Sequence, residues 1–290
     1  MTAVCCLTGC GSLSYDMAYH VDYDVSSFNV VTRQETRTAL PFAANLCVAA
    51  GNVPSDTVDM SHAEAVGLFG LDERQVLYAQ NIHERLHPAS LTKVMTALVA
   101  LKYGQLNQTL TASDVVNITE PGAVLCGLAS GDTMSLDQAL RILLVYSSND
   151  VAMLIAENVG GSVERFVEMM NEEAARLGAT NTHFTNPHGL TESEHYTTVY
   201  DLYLMFNEAV KYDAFNEIIH MSGYQTVFYD KDGKEKAFDR QSTKLYLRGE
   251  RQAPANVTVI GGKTGTTSAA GYCLMLLSRD ENGSPYISIV

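Results

Sequence analysis

The sequence predicts an α+β fold, in which a mostly antiparallel sheet is flanked by helices and contains an inserted all-helical subdomain. Three observations support this prediction. Strand-like apolar segments come first and last, with helical periodicity in the chain between them. Short polar turns join neighbouring strands. Hydrophobic residues make up 46% of the 290 residues and charged residues 18%, which is enough apolar material for a sizeable core.

The first strands and the first helix follow one another closely. The apolar run at residues 63–70 fits a central strand, and residues 76–79 form the returning strand after a turn. Pro88 precedes a helical pattern over residues 91–103, and a proline there costs no hydrogen bond. Gly104 then ends the helix.

The middle of the chain is predicted to be helical. One helix begins at Ser135, where a capping sequence precedes leucines that recur at helical spacing. Three further helices are predicted over residues 150–159, 163–177 and 198–212.

Strands return in the last part of the chain. They are predicted over residues 224–229, 257–263, 271–278 and 286–290. The chain stops inside an apolar strand, which normally needs a covering element, so we expect further C-terminal sequence. Residues 41–290 are therefore predicted to form one domain that lacks its C-terminal end.

The N-terminal 40 residues have a different character. Leu7-Thr8-Gly9-Cys10 has the form of a bacterial lipobox, in which the cysteine is acylated after cleavage. No Lys or Arg precedes Cys10, so a signal remnant over residues 1–10 and a chance match both stay open. Residues 11–40 are polar and aperiodic, which predicts a tether. No segment approaches the roughly 18 apolar residues of a transmembrane helix.

The overall charge argues against two classes of partner. The formal net charge is −14 at pH 7 and the isoelectric point is about 4.9. Binding to nucleic acid needs a cationic face, and so does an electrostatic attachment to anionic lipid. None of the six cysteines forms a C-x-x-C pair, so a zinc ribbon or a thioredoxin-type site is not expected.

Three short polar motifs carry the candidate chemistry. The first is Ser90-Leu91-Thr92-Lys93, whose spacing places a hydroxyl and an amine on one face at the start of a helix. The amine can take the hydroxyl proton only if it is unprotonated, which requires a desolvated or cation-crowded site. The helix N-terminus also supplies positive potential where an oxyanion would form. The alternative is a capping serine beside a surface lysine.

The second and third motifs supply the other polar groups that acyl transfer through a serine ester requires. In Ser147-Ser148-Asn149, the first hydroxyl could relay a proton and the carboxamide could bind a substrate amide. In Lys263-Thr264-Gly265, the cation could hold a substrate carboxylate while the glycine admits a ligand backbone. The alternatives are helix capping for the serines and a protective edge-strand charge for the lysine.

One further pattern invites a metal-site interpretation. His83-Glu84-Arg85-Leu86-His87 matches the H-E-x-x-H zinc pattern, which needs both imidazoles on one helical face. A strand precedes it and Pro88 follows, and a residue before proline avoids the helical conformation. We therefore expect a coincidental match.

Longer segments around the motifs resemble one known family. The segment at residues 88–98 is similar to the active-site segment of the low-molecular-mass penicillin-binding D-alanyl-D-alanine carboxypeptidases. Residues 186–190 and 195–198 also resemble that family, as do residues 263–266 and 270–274. The resemblance extends from about residue 63 to residue 290.

The resemblance implies a fold and a reaction. The fold is DD-peptidase/β-lactamase-like, and the reaction removes the terminal D-Ala from peptidoglycan stem pentapeptides through an acyl-enzyme. β-Lactam antibiotics would act as inhibitors, and no metal or other cofactor is implied. Ser90 would be the nucleophile, Lys93 its general base and Ser147 the bridging hydroxyl.

The resemblance also implies the binding groups. Asn149 would bind the substrate amide, and Lys263 with Thr264 would hold the terminal carboxylate. Backbone N–H groups of Ser90 and Thr266 would form the oxyanion hole. Gly265, which lies between Thr264 and Thr266, would let the substrate backbone approach. His188 and His195 are expected to pack a loop through hydrogen bonds.

Two alternatives to the carboxypeptidase function stay open, and the sequence also suggests where the protein is located. A class A-like β-lactamase normally carries Ser-Asp-Asn and a Glu-x-x-Leu-Asn segment, which this sequence does not have. A non-catalytic penicillin-binding sensor or scaffold is the second alternative. The family's C-terminal β-rich domain and amphipathic anchor are not found in the sequence, so a lipid on Cys10 is the candidate membrane anchor. We expect an extracytoplasmic location in the cell envelope.

Overall fold

The structure, a computed structural model, describes residues 43–290. Its strands are β1 (Val66–Gly70), β2 (Gln75–Gln80), β3 (Thr109–Thr111), β4 (Thr133–Ser135), β5 (Gly223–Tyr229), β6 (Glu235–Gln241), β7 (Thr258–Thr267), β8 (Gly271–Arg279) and β9 (Pro285–Ile289). Its α-helices are α1 (Lys93–Tyr103), α2 (Leu136–Val145), α3 (Asn149–Gly160), α4 (Val163–Leu177), α5 (Val199–Ala209) and α6 (Asp213–Ile219). The predicted segments 1–10 and 11–40, with Cys10, lie outside the described residues.

A five-stranded antiparallel sheet joins the two ends of the described chain. Its strand order is β2-β1-β9-β8-β7, and every neighbouring pair is antiparallel. The pairing of β1 with β9 confirms the prediction that one sheet is built from both ends of the domain. Strand β7, which carries the third motif, lies at the edge of this sheet.

Helix α1 is the centre of the core. Its residues from Lys93 to Ala100 are all buried, and it packs against α2, α3, α4 and α5. A helix that is buried on all sides belongs to the interior of a domain rather than to an amphipathic surface layer. The first motif therefore leads directly into the buried central helix of the domain.

The inserted segment differs from the prediction because it is not wholly helical. Strands β3 and β4 pair with each other, and β4, β5 and β6 complete a second, four-stranded sheet. The strands β3 and β4 have three residues each, too few for an alternating pattern to show in the sequence. Helix α6 is not predicted either, because its seven residues make only about two turns, too few for helical periodicity to show.

Local signals at the helix ends are confirmed. Ser135 begins α2 through a capping box with Gln138. Helix α4 has the bounds that were predicted, and Gly178 ends it in the left-handed conformation. Among residues 43–290, no helix combines the length and the apolar character that crossing a membrane requires.

Candidate active site

Ser90 and Lys93 lie in direct contact at the entrance to α1. Ser90 is on a 3₁₀ turn, Ala89–Thr92, that leads directly into the helix. The Nζ atom of Lys93 is 2.9 Å from the Oγ atom of Ser90. No side-chain hydrogen bond caps this turn, and the Lys93 side chain is fully buried. The capping serine and the surface lysine are therefore both wrong as interpretations of this motif.

The environment of Lys93 favours its unprotonated form. Burial lowers the pKa of Lys93 to about 7, and the charge of Asp150 opposes this shift in part. The Nζ atom has two other acceptors, Asn149 Oδ1 at 2.7 Å and the His188 carbonyl oxygen at 2.6 Å. A neutral amine has two N–H bonds and one lone pair. In the neutral form, with both N–H bonds used on these acceptors, the lone pair is left for the Ser90 hydroxyl, 2.9 Å away.

Lys263 and Ser147 form a second buried pair. The Nζ atom of Lys263 donates to Ser147 Oγ at 2.8 Å and to the Thr264 carbonyl oxygen at 2.7 Å. Burial holds the pKa of Lys263 well below its usual range, and the like charges of Lys93 and Lys244 add to that effect. Lys263 is fully buried, so the exposed edge-strand charge is wrong for this residue.

The two hydroxyl–amine pairs are brought together by the turn between α2 and α3. Ser147 adopts a left-handed backbone with φ of 75°, a conformation that costs energy in residues other than glycine. Ser148 occupies the N-cap position of α3 but makes no side-chain capping bond. Asn149 is the first residue of that helix, and this position lets its carboxamide reach Lys93.

The end of β7 packs against the turn that carries Ser90. A Cβ atom at Gly265 would lie 3.1 Å from the Ser90 backbone nitrogen and 3.1 Å from Ala89 Cβ. A glycine is needed here because the two backbones approach so closely. The hydroxyl of Thr264 donates to Thr243 Oγ1 at 2.7 Å, and that of Thr266 donates to the Gly265 carbonyl oxygen at 2.7 Å.

A loop outside the three motifs contacts the start of α1 through its backbone carbonyls. The Pro187 carbonyl oxygen accepts from the Thr96 hydroxyl at 2.6 Å, next to the His188 carbonyl that accepts from Lys93. These contacts use backbone carbonyls, which every residue has, so no side-chain pattern could have predicted them. The only available signal was the resemblance of residues 186–190 to the family.

His195 contacts the Ser90 turn, Ala89–Thr92, through the hydroxyl of Thr92. The Thr92 hydroxyl donates to the Ala89 carbonyl oxygen at 2.8 Å, so the His195 Nε2, 2.9 Å from that hydroxyl, is the donor of their shared bond. The opposite nitrogen, Nδ1, accepts from the Thr185 backbone N–H at 3.1 Å. Burial lowers the pKa of His195 to about 4, which agrees with this neutral form. The turn that it contacts includes Ala89, whose φ of 47° is strained.

Gly189 provides a first test of these contacts. Its φ is +86°, and an added Cβ would lie 1.9 Å from the Ala89 carbonyl oxygen. Gly189→Ala is expected to slow acylation of Ser90, because the turn must move to relieve the clash. Gly178→Ala is the matched control, with φ of +83° and open space around the added atom. It should cost about 1–2 kcal/mol of stability and leave acylation unchanged. Urea unfolding and penicillin-binding rates check both variants, and equal acylation rates would contradict the argument.

The H-E-x-x-H segment has an irregular backbone instead of a helix, as Pro88 predicts. The imidazoles contact different carbonyls: His83 Nε2 lies 3.0 Å from the Ala49 oxygen, and His87 Nδ1 lies 2.9 Å from the His195 oxygen. Over residues 43–290, no group of three or more His, Cys, Asp or Glu side chains is arranged to hold a metal ion.

Comparison with known proteins assigns the family. The family model described as D-alanyl-D-alanine carboxypeptidase matches residues 53–290. The chain belongs to the D-alanyl-D-alanine carboxypeptidase family. Family membership confirms the resemblance seen in the motif segments.

Several members of this family and their structural relatives can be aligned with most of the chain. The D-alanyl-D-alanine carboxypeptidase DacF of Bacillus subtilis is 35% identical over 234 residues, which cover 78% of this chain and 57% of the relative. DacC of Escherichia coli is 32% identical over 259 residues, covering 86% of this chain and 60% of the relative. The Streptomyces K15 DD-transpeptidase structure has a TM-score of 0.72 at 26% identity, over 82% of this chain and 91% of that one.

These comparisons confirm the α+β, DD-peptidase-like fold. The chain spans somewhat less than two thirds of the length of these curated relatives.

Proposed function

We propose that the protein is a serine-type D-Ala-D-Ala carboxypeptidase that removes the terminal D-Ala from peptidoglycan stem pentapeptides. One observation carries the proposal: the buried Lys93 amine, with a pKa lowered to about 7, lies 2.9 Å from the Ser90 hydroxyl. A nucleophile beside a base that is unprotonated near neutral pH is what serine ester formation requires. Family membership supplies the substrate class.

Acylation follows from this geometry. Lys93 takes the Ser90 proton while Oγ bonds to the carbonyl carbon of the penultimate D-Ala. The oxygen of the tetrahedral intermediate accepts bonds from the backbone N–H groups of Ser90 and Thr266, which belong to the two segments that Gly265 brings together. The C–N bond then breaks, and the amine of the terminal D-Ala leaves with a proton relayed through Ser147 from Lys93.

Substrate binding uses the remaining polar groups. The Asn149 carboxamide binds the substrate amide, and Lys263 with Thr264 holds the terminal carboxylate. In the free site, burial and neighbouring lysines disfavour a proton on Lys263. An arriving carboxylate provides the missing opposite charge and so raises the pKa of that amine. Recognition of the carboxylate and protonation of Lys263 are therefore coupled.

Hydrolysis completes the cycle without a metal or an organic cofactor. Water attacks the acyl carbon, Lys93 accepts its proton, and the bond from carbon to Ser90 Oγ breaks as the proton returns to that oxygen. β-Lactams acylate the same serine because their ring amide occupies the position of the scissile bond. We place the reaction outside the cytoplasm, where peptidoglycan lies, with residues 41–290 as the catalytic domain. A lipid on Cys10 remains the anchor prediction.

Mass spectrometry of the purified protein tests the proposal. The protein is incubated with diacetyl-Lys-D-Ala-D-Ala and, separately, with penicillin, and the modified peptide is sequenced. We expect D-Ala release and a long-lived penicillin adduct on Ser90. Rapid penicillin turnover with no trapped adduct would indicate the β-lactamase alternative. A stable adduct without D-Ala release would indicate the sensor or scaffold.

The pH dependence of acylation tests the role of Lys93. The base is active only when unprotonated, and its pKa is lowered to about 7. The rate of penicillin acylation should therefore fall about tenfold for each pH unit below that midpoint. Stopped-flow or quenched acylation measured between pH ~5 and ~9 checks this. A rate that stays flat through the acid range would rule out Lys93 as the base.

A further inference from the structure

Asp150 follows the second motif directly and has more hydrogen-bond partners than any group in it. Its carboxylate is almost fully buried in the first turn of α3. Oδ1 accepts from the Cys126 N–H at 3.0 Å, the Ser148 hydroxyl at 2.7 Å and the Val151 N–H at 2.9 Å. Oδ2 accepts from the N–H groups of Gly127 and Leu128, at 2.9 and 3.1 Å.

Three of these five donors are consecutive backbone N–H groups of one loop. Such a run encloses an anion from one side, and here the left-handed Gly127, with φ of 87°, permits the curvature. The loop continues to Val124, whose carbonyl oxygen accepts from the Asn149 backbone N–H at 2.8 Å. The carboxylate and this backbone bond together hold the loop beside the proposed substrate-binding carboxamide.

The loop presents apolar side chains at this place. Val124 and Leu125 are each 38% exposed, although both belong to residue types that are usually buried. Their position next to Asn149 suits contact with the apolar part of an acyl chain, because that carboxamide would bind the neighbouring amide.

We propose that Asp150 is a positioning residue: its carboxylate fixes residues 124–128 beside Asn149, so that Val124 and Leu125 form a wall of the subsite for the acyl side of the substrate. This inference deepens the proposed function and rests on it. Asp150 acts through the loop and does not touch the reacting atoms.

The charge of Asp150 adds a second, measurable consequence. It raises the pKa of Lys93 and so opposes the effect of burial. Three other titratable groups face Lys93: Lys263 on β7, and His188 and His195 in the loop that contacts α1. The groups that face residues 124–128 are the Cys126 thiol within that loop and the charged side chains of Asp132, Lys236 and Arg240. Removing the Asp150 charge should therefore move the acid midpoint of acylation to lower pH.

Two substitutions separate the effect of the hydrogen bonds between Asp150 and the loop from the effect of its charge. Asp150→Asn removes the charge and turns an N–H₂ group toward backbone donors, so we expect KM for diacetyl-Lys-D-Ala-D-Ala to rise about tenfold, kcat to change less, and the acid midpoint to fall. Asp150→Glu keeps the charge but misplaces the oxygens, so KM should rise with the midpoint unchanged. A role limited to folding would lower the melting temperature and move neither quantity.

Asp132→Asn is the matched control at the far end of the same loop. Asp132 is also buried, and its Oδ2 accepts from the Ala129 N–H and from Lys236. This variant should lose stability and keep the wild-type KM and acid midpoint. Equal KM increases in Asp132→Asn and Asp150→Asn would overturn the proposal, because they would show general loosening of the loop.

Leu125→Ala tests the wall in case the Asp150 variants do not fold. Its side chain is partly exposed, so the fold should tolerate the change. We expect KM to rise for diacetyl-Lys-D-Ala-D-Ala and to stay the same for acetyl-D-Ala-D-Ala, which lacks the long acyl side chain. Unchanged KM values for both peptides would overturn the proposal. Failure of the proposed function is recognised separately, since the wild-type protein would then release no D-Ala from diacetyl-Lys-D-Ala-D-Ala.

Discussion

Ser90→Ala is expected to abolish D-Ala release, lowering kcat/KM by about 10⁴-fold or more. The substitution removes the oxygen that forms the acyl-enzyme and leaves Lys93 without a proton to take. Because Ser90 makes no capping bond, folding should be almost unaffected. Chromatographic measurement of released D-Ala and intact mass after penicillin treatment check the result, and the variant mass should show no adduct.

Ser162→Ala is the matched control for that variant. Ser162 also stands at the start of a helix, but its side chain accepts a capping bond from the Arg165 N–H. Losing that bond should cost about 1 kcal/mol of stability and leave D-Ala release unchanged. The two serines thus separate the catalytic effect from the capping effect. Wild-type release by Ser90→Ala would remove Ser90 from the mechanism.

The parts of the fold that the sequence could predict are those with long or strongly marked patterns. Helix α4 shows a capping serine, a periodic apolar face and a terminal glycine, and its predicted bounds match the structure. Strands β3 and β4 have only three residues each, and their pairing depends on partners far along the chain. Such strands are determined by tertiary contacts, which a local pattern does not contain.

The site shows the same division between local and distant information. The spacing of Ser90 and Lys93 on one helical turn already predicts their contact, which the structure places at 2.9 Å. The pairing of Ser147 with Lys263 joins residues 116 positions apart, and only the resemblance to a family could suggest it. The His188 carbonyl that binds Lys93 has no side-chain signal at all.

A third buried lysine was not anticipated. Lys244 follows Ser242 and Thr243 in a polar stretch that looks solvated in the sequence, yet it is 1% exposed. Burial lowers its pKa to about 7, and within residues 43–290 its amine has one hydrogen-bond contact, a long one of 3.5 Å to the Leu144 carbonyl oxygen. Burial of a polar stretch depends on what packs over it, and here the end of α2 lies against it.

Lys93→Met is expected to lower kcat/KM by about 10²–10⁴-fold, because the general base is lost while the nucleophile and the binding groups remain. Its effect on stability should depend on pH. In the folded protein the pKa of Lys93 is about 7, against 10.5 for an ordinary lysine, so the unfolded state binds more protons between these values. Wild-type stability therefore rises with pH across that window through this residue.

Methionine cannot titrate, so the free energy of unfolding of Lys93→Met, relative to wild type, should be highest at about pH 7 and below and should fall as pH approaches 10.5. Urea unfolding at several pH values measures this difference.

Lys244→Met is the matched control, because it removes a similarly buried amine. It should show the same pH trend in stability, but D-Ala release should stay within about tenfold of wild type because Lys244 does not contact Ser90. If both variants lost activity equally, the loss would reflect the removal of buried charge rather than of a base. A relative stability that is independent of pH would show that Lys93 keeps an ordinary pKa in the folded protein, and the proposed base would then be protonated at neutral pH.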